Sequence, residues 1–126
     1  MGKYTAQVTD HLILPASVRL PDGDEHFLQA AGQRVSAPVP IRLLIDTGSK
    51  RTTLIPGAID HLNPRQGDIV RIATALHAGA ARLFWVRLDF PEAGLTPFEH
   101  VQVARLAMPP ESAQFHGLLG RDLLRR

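Results

Sequence analysis

The sequence predicts an all-β fold, a barrel or a sandwich, on three observations. Apolar residues fall in short runs of strand length. Ten glycines and ten prolines punctuate those runs, and there is neither a long amphipathic helix nor an internal repeat. At 126 residues the chain reads as one unit large enough for its own core. Its apolar fraction of 44% and charged fraction of 21% are ordinary for a globular protein.

Taken in order, "HLILPASVRL" (11–20) reads as a broken strand and "PDGDE" (21–25) as a polar turn. "HFLQAAGQRVSAPVPIRLLID" (26–46) reads as strand, turn and strand about Gly32-Gln33. "TTLI" (52–55) is a short β-branched strand. "PGAIDHLNP" (56–64) has room for one helical turn, opened by Pro56 and closed by Pro64. "GDIVRIATAL" (67–76) and "ARLFWVRLDF" (81–90) form the clearest strand pair, joined by "HAGA", where Gly79 suits a hairpin tip. Trp85 in the second strand belongs to a core or a groove wall. "EHVQVARLAM" (99–108) alternates around Val101 and Val103. "FHGLLGRDLLRR" (115–126) sets Leu118-Leu119 between two glycines before a short helical end.

Composition excludes several chemistries. The chain has no cysteine, so disulfides, thiolate nucleophiles and Cys-based metal sites are out. Its six histidines are at least fifteen residues apart and lack the spacing of a metal pair. The net charge is +2, and the fourteen basic residues, twelve of them arginine, are scattered apart from Arg125-Arg126. No nucleic-acid partner is therefore expected. No apolar run reaches the ~18 residues of a membrane span. No signal-peptide pattern opens the chain, so a cytoplasmic location without membrane contact is expected. A serine-hydrolase elbow, Gly-x-Ser-x-Gly, is absent.

One stretch carries chemistry. In "IRLLIDTGSKRTTL" (41–54) an apolar strand runs into Asp46 and turns on Thr47-Gly48-Ser49. An acid at the end of a buried strand is costly unless it is hydrogen-bonded or reacts. Two readings follow from the residues: an Asx turn accepting the Gly48 and Ser49 amides, or a catalytic carboxylate. About seventy residues on comes a second element, Leu118-Leu119-Gly120, followed by Arg121-Asp122.

The two elements together resemble the retroviral-like (retropepsin-type) aspartic proteases, over roughly Val39 to Leu124. That resemblance implies a small closed β-barrel of the retropepsin type, with a flap hairpin and one short C-terminal helix. It places the protease-like domain at 37–126 and leaves 1–36 as an N-terminal extension offering extra strands or a dimer contact. It implies Asp46 as the catalytic residue and Thr47, Gly48 and Ser49 as its loop. Thr47 would bond across a two-fold axis, Gly48 would permit the turn, and Ser49 would set its hydroxyl near the Asp46 carboxylate. Leu118 and Leu119 would pack beneath the loop, with Gly120 and Arg121 completing the second motif. Ala75, Leu76, His77 and Ala78 would form the flap region over a polypeptide substrate.

The chemistry of such a site can be stated on its own terms. Hydrolysis without a metal or covalent nucleophile needs a base for the water and an acid for the carbonyl oxygen and leaving amine. Two carboxylates about 3 Å apart do both, because they cannot both ionise easily and share one proton. One Asp-Thr-Gly per chain makes a homodimer the requirement for activity, and no metal or organic cofactor is expected.

The pattern departs from the family in three places. The flap region holds only Gly79 among alanines and a histidine. Ser49-Lys50-Arg51 supplies no acid for Arg121, which leaves Asp60, Asp68 or Asp122 of either chain. Six residues after Gly120 are too few for interleaved terminal strands, so 1–36 is the expected interface unless that strand lies beyond residue 126. A catalytically silent dimerisation or peptide-binding module is accordingly the alternative.

Overall fold

Six strands close into a barrel because the first of them pairs on both sides. The computed structural model describes residues 12–73, 78–107 and 115–125. Strand β1 (Ile13–Arg19) runs antiparallel to β2 (Val39–Ile45) and, through Ser17, Val18 and Arg19, to the far end of β5 (Ala78–Phe90). From β2 the ring continues through β7 (Gly117–Leu119), β3 (Thr53–Leu54) and β6 (Leu95–Arg105) back to β5. Contacts β2–β7 and β3–β6 are parallel and the others antiparallel, so the barrel is mixed. Strand β4 (Gln66–Ala73) lies outside the ring as the outer arm of a hairpin with β5. Thus the segment 1–36 contributes one of the six barrel strands.

The expected break at Pro15 does not occur. Pro15 faces Arg42, whose own N–H and C=O both bond to His116, on the side away from β1. The pair is therefore a non-hydrogen-bonded one, where a missing N–H removes no ladder bond.

Val18, Leu43, Leu54, Val86, Leu88, Phe90 and Val103 are fully buried and fill the barrel. Strand β5 serves two cores. Val86, Leu88 and Phe90 point into the barrel, whereas Ala81 and Leu83 join Ile72, Ala104 and Leu106 in a smaller cluster. Even and odd residues of a strand face opposite sides, so this second cluster lies on the other face and anchors the hairpin.

Residues 22–30 correct the reading of a polar turn and strand: Asp22–Ala30 is helix α1. Asp22, Asp24 and Glu25 occupy its first turn, where the helix dipole favours anions. Arg19 and Arg87 clasp Asp22, Arg19 also reaches Glu25, and Arg65 holds Asp24. Leu28 packs on the main core, and Gly32 ends the helix region with φ +74°. The predicted single turn after "TTLI" is helix α2 (Pro56–Ile59), continued by a 3-10 turn to Leu62. The chain's described end is the short helix α3 (Arg121–Leu124). Among the described residues no helix is long and apolar enough to cross a membrane.

Candidate active site

Strand β2 delivers Asp46 beside β7. Leu43, Leu44 and Ile45 align with Gly117, Leu118 and Leu119, and the Asp46 N–H donates to Leu119 O at 3.0 Å. Leu118 and Leu119 are buried. The turn then folds back on its acid. The Gly48 N–H donates to Asp46 Oδ1 at 3.0 Å, and the Ser49 N–H to the Asp46 carbonyl at 3.2 Å. Among the described residues Oδ2 accepts no hydrogen bond, so half of this half-buried carboxylate is left for water or substrate. An Asx turn and a reacting acid are thus compatible in one residue.

The loop is clamped from behind by the second motif. The Arg121 N–H donates to Ser49 O at 2.8 Å and the Asp122 N–H to Lys50 O at 3.2 Å. The Asp122 carboxylate accepts the Thr52 N–H at 3.0 Å, the Thr52 hydroxyl at 2.8 Å and the Leu123 N–H at 2.9 Å. The Thr52 Oγ1 in turn accepts the Gly120 N–H at 3.0 Å. Thr52 is fully buried, so each of these groups depends on the others for a partner. Replacing Thr52 by Val keeps the shape and leaves the Gly120 N–H and one Asp122 contact unmet. It should cost about 1–3 kcal/mol in denaturant unfolding; an unchanged midpoint would show that the clamp is not a stabilising network.

Several expected roles change. Ser49 is fully buried and its hydroxyl donates to Arg51 O at 2.9 Å, away from Asp46. It shapes the loop instead of touching the carboxylate. Gly48 does not need a left-handed backbone, since positive φ is confined to Gly32, Gly79, Gly94 and Asn63 among the described residues. A Cβ there would sit 3.3 Å from Asp46 Oδ1, a tight contact with the acid itself. Thr47 is exposed at the loop tip.

Within one chain, among the described residues, Arg121 pairs with none of Asp60, Asp68 and Asp122. Its Nε is buried without a hydrogen-bond partner, and the Asp122 carboxylate is committed to Thr52 and Leu123. Asp60 is taken by Arg105, whose Nε and Nη2 bond its two oxygens at 2.8 Å each. That hydrogen bonding, with lesser help from the charges of Arg105 and His61, holds the Asp60 carboxyl below its ordinary value of 3.8. A lowered folded pKa contributes stability above that ordinary value and loses it as pH falls through the folded one. Asp60→Asn should therefore lower the melting temperature slightly at neutral pH and make no difference in strong acid. A gap that persists undiminished in acid would contradict this assignment.

Strands β4 and β5 form the expected hairpin, with Ala73 opposite Ala78. Gly79 and Ala78 belong to β5, with Gly79 facing Ile72, so Gly79 is a paired strand residue and not the hairpin tip. Ala75, Leu76 and His77 fall outside the described residues. Between hairpin and loop is a cleft of about 490 Å³. Gly48, Lys50 and Arg51 line it from the loop; Arg71, Ile72, Ala78 and Gly79 line it from the hairpin. Trp85 lies elsewhere, stacked on His100 with ring centroids 4.2 Å apart.

Sequence reasoning missed Thr52 as a site support, and Lys50, Arg51 and Arg71 as cleft residues. For Thr52 the available signal was an acid just after Gly120-Arg121 together with a threonine just after the Asp46 turn. Compared with protein-family models, curated proteins and solved structures, the chain matches none.

Proposed function

We propose that the chain is an aspartic endopeptidase whose site is completed by a second copy of itself. The observation that supports this reading is the clamped loop. A β-strand ends in a carboxylate with one oxygen free among the described residues, a second motif fixes the loop, and a hairpin stands across a cleft from it. Neither a metal-ligand set nor a nucleophile–base pair was found in the sequence to suggest another hydrolytic chemistry.

In the proposed homodimer the two Asp46 carboxylates meet at the two-fold axis with a water between them. The ionised carboxylate takes a proton from the water as it attacks the peptide carbonyl carbon, and the protonated one gives its proton to the carbonyl oxygen. The tetrahedral gem-diol then collapses: the ionised carboxylate takes a hydroxyl proton as C=O re-forms, the C–N bond breaks, and the leaving nitrogen takes the proton of the other carboxyl, which returns the dyad to one shared proton. Substrate lies extended between loop and hairpin, where main-chain bonds fix it and alternate side chains enter pockets. The hairpin is the proposed flap, shielding the reacting carbonyl from water.

A mixed peptide library incubated with the protein between about pH 4 and pH 7 tests this reading over the range natural to a carboxylate pair. Cleavage at defined bonds is the expected result. Peptides bound but never cut would instead favour the silent peptide-binding module.

A further inference from the structure

We propose that the cleft beside Asp46 selects peptides carrying an acidic side chain near the bond that is cut, gripped by Lys50, Arg51 and Arg71. This rests on the endopeptidase reading for its placement of substrate, but the grip itself is a property of the cleft.

Three of the residues lining the cleft are cationic and none is acidic. Elsewhere on the barrel four arginines face carboxylates: Arg19 meets Asp22 and Glu25, Arg65 meets Asp24, Arg87 meets Asp89, and Arg105 meets Asp60. Among the described residues Lys50, Arg51 and Arg71 make no such pair. Arg34, Arg42, Arg82, Arg121 and Arg125 are likewise without one among the described residues, and what sets the cleft apart is that three such cations gather on its two walls with no acid in its lining. Because the chain's net charge is only +2, this is a local feature and not a general basic surface.

The geometry favours use of that charge. Arg51 is fixed at its base, since its carbonyl accepts the buried Ser49 hydroxyl at 2.9 Å. The exposed Arg71 lines the opposite wall beside Ile72, and charge of one sign on both walls of a cleft concentrates the field between them. A carboxylate entering between the walls meets a guanidinium from each side, the donor that binds carboxylates in a two-pronged fashion. Gly48, two residues from Asp46, also lines the cleft, so the gripped side chain belongs within a few residues of the scissile bond. The Asp46 carboxylate opposes an acid at the reaction centre itself but is outnumbered by the three cations.

The test uses the Asp46→Asn protein, which holds peptides without consuming them, and fluorescent peptides identical except for Glu, Gln or Lys scanned along the sequence. At one or two positions Glu should bind about five- to tenfold more tightly than Gln, with Lys weakest. The preference should vanish in about 1 M salt, where charges are screened beyond about 3 Å. Lys50→Glu with Arg71→Glu, both exposed and so compatible with folding, should reverse it to favour Lys. Equal affinities at every position, no measurable binding, or a preference untouched by the cleft variant would overturn the proposal. Cleavage of the same peptides by the wild type separates the two ideas. A Glu preference in binding without cleavage keeps the cleft assignment and removes the peptidase, whereas cleavage indifferent to charge does the reverse.

Discussion

Asp46→Asn should abolish peptide cleavage while leaving the fold in place. The amide oxygen of Asn can still accept the Gly48 N–H that Asp46 Oδ1 accepts at 3.0 Å, and the main-chain bond to Leu119 O is untouched. Stability should therefore change by no more than about 0.5 kcal/mol. What is lost is the capacity to hold and move a proton. General acid–base help of this kind is worth roughly 10²–10⁴-fold, and here one group serves as both acid and base, so the loss should be at least that large. Cleavage rate and thermal unfolding measured side by side check both halves. Retained cleavage would place the chemistry elsewhere; a collapsed melting temperature would mean that the turn depends on the charge of the acid.

Gly120→Ala should damage both stability and activity. Gly120 has φ −92° and ψ 178°, extended backbone open to any residue, so the cost does not come from torsion. It comes from contact: an added Cβ would lie 2.6 Å from the Arg51 carbonyl carbon and 2.9 Å from its nitrogen. These are main-chain atoms, tied to α3 through Ser49 and Lys50. Either β7 or the Asp46 loop must give way. Overpacking of this kind costs about 1–3 kcal/mol, and the upper end is expected where the obstacle is backbone. A loop displaced by about 1 Å should also lose on the order of 10² in rate. Gly117→Ala should behave likewise, because a Cβ there meets Thr53 O and Leu54. Gly23, inside α1 with open space around it, is the contrast: Ala there should stabilise by about 0.5–1 kcal/mol. Denaturant midpoints for the three variants test the ordering, and equal effects would show that contact at Gly120 and Gly117 is not the cause.

Most barrel strands were legible because they are short apolar runs bounded by glycine or proline, as in 41–45 and 81–90, although the strands extend back to Val39 and Ala78. Helix α1 was not, since Asp22, Asp24 and Glu25 look like a polar turn until Arg19, Arg65 and Arg87 arrive from three strands or loops to hold them. Pro15 misled for a related reason: which backbone side of β1 is bonded depends on the partner strand. At the site, the Asp46 turn and its two supporting leucines could be read directly. The clamp could not, because Thr52 and Asp122 are seventy residues apart and meet only when β3 and β7 pair. Ser49 was assigned to the wrong neighbour because a hydroxyl three residues from an acid has several acceptors within reach, and here the Arg51 carbonyl takes it. The cationic cleft was invisible for the simplest reason. Arg71 lies twenty residues from Arg51 in sequence, and only the folded hairpin sets them across from each other.

The claim beneath all of this is that two copies of Asp46 act together. Mixing active protein with increasing Asp46→Asn protein at constant total concentration tests it most directly, once subunits have been allowed to exchange. If each site needs one carboxylate from each copy, activity falls with the square of the wild-type fraction, because mixed dimers are inactive. A linear fall would mean that each chain works alone, and the shared-dyad account would be wrong.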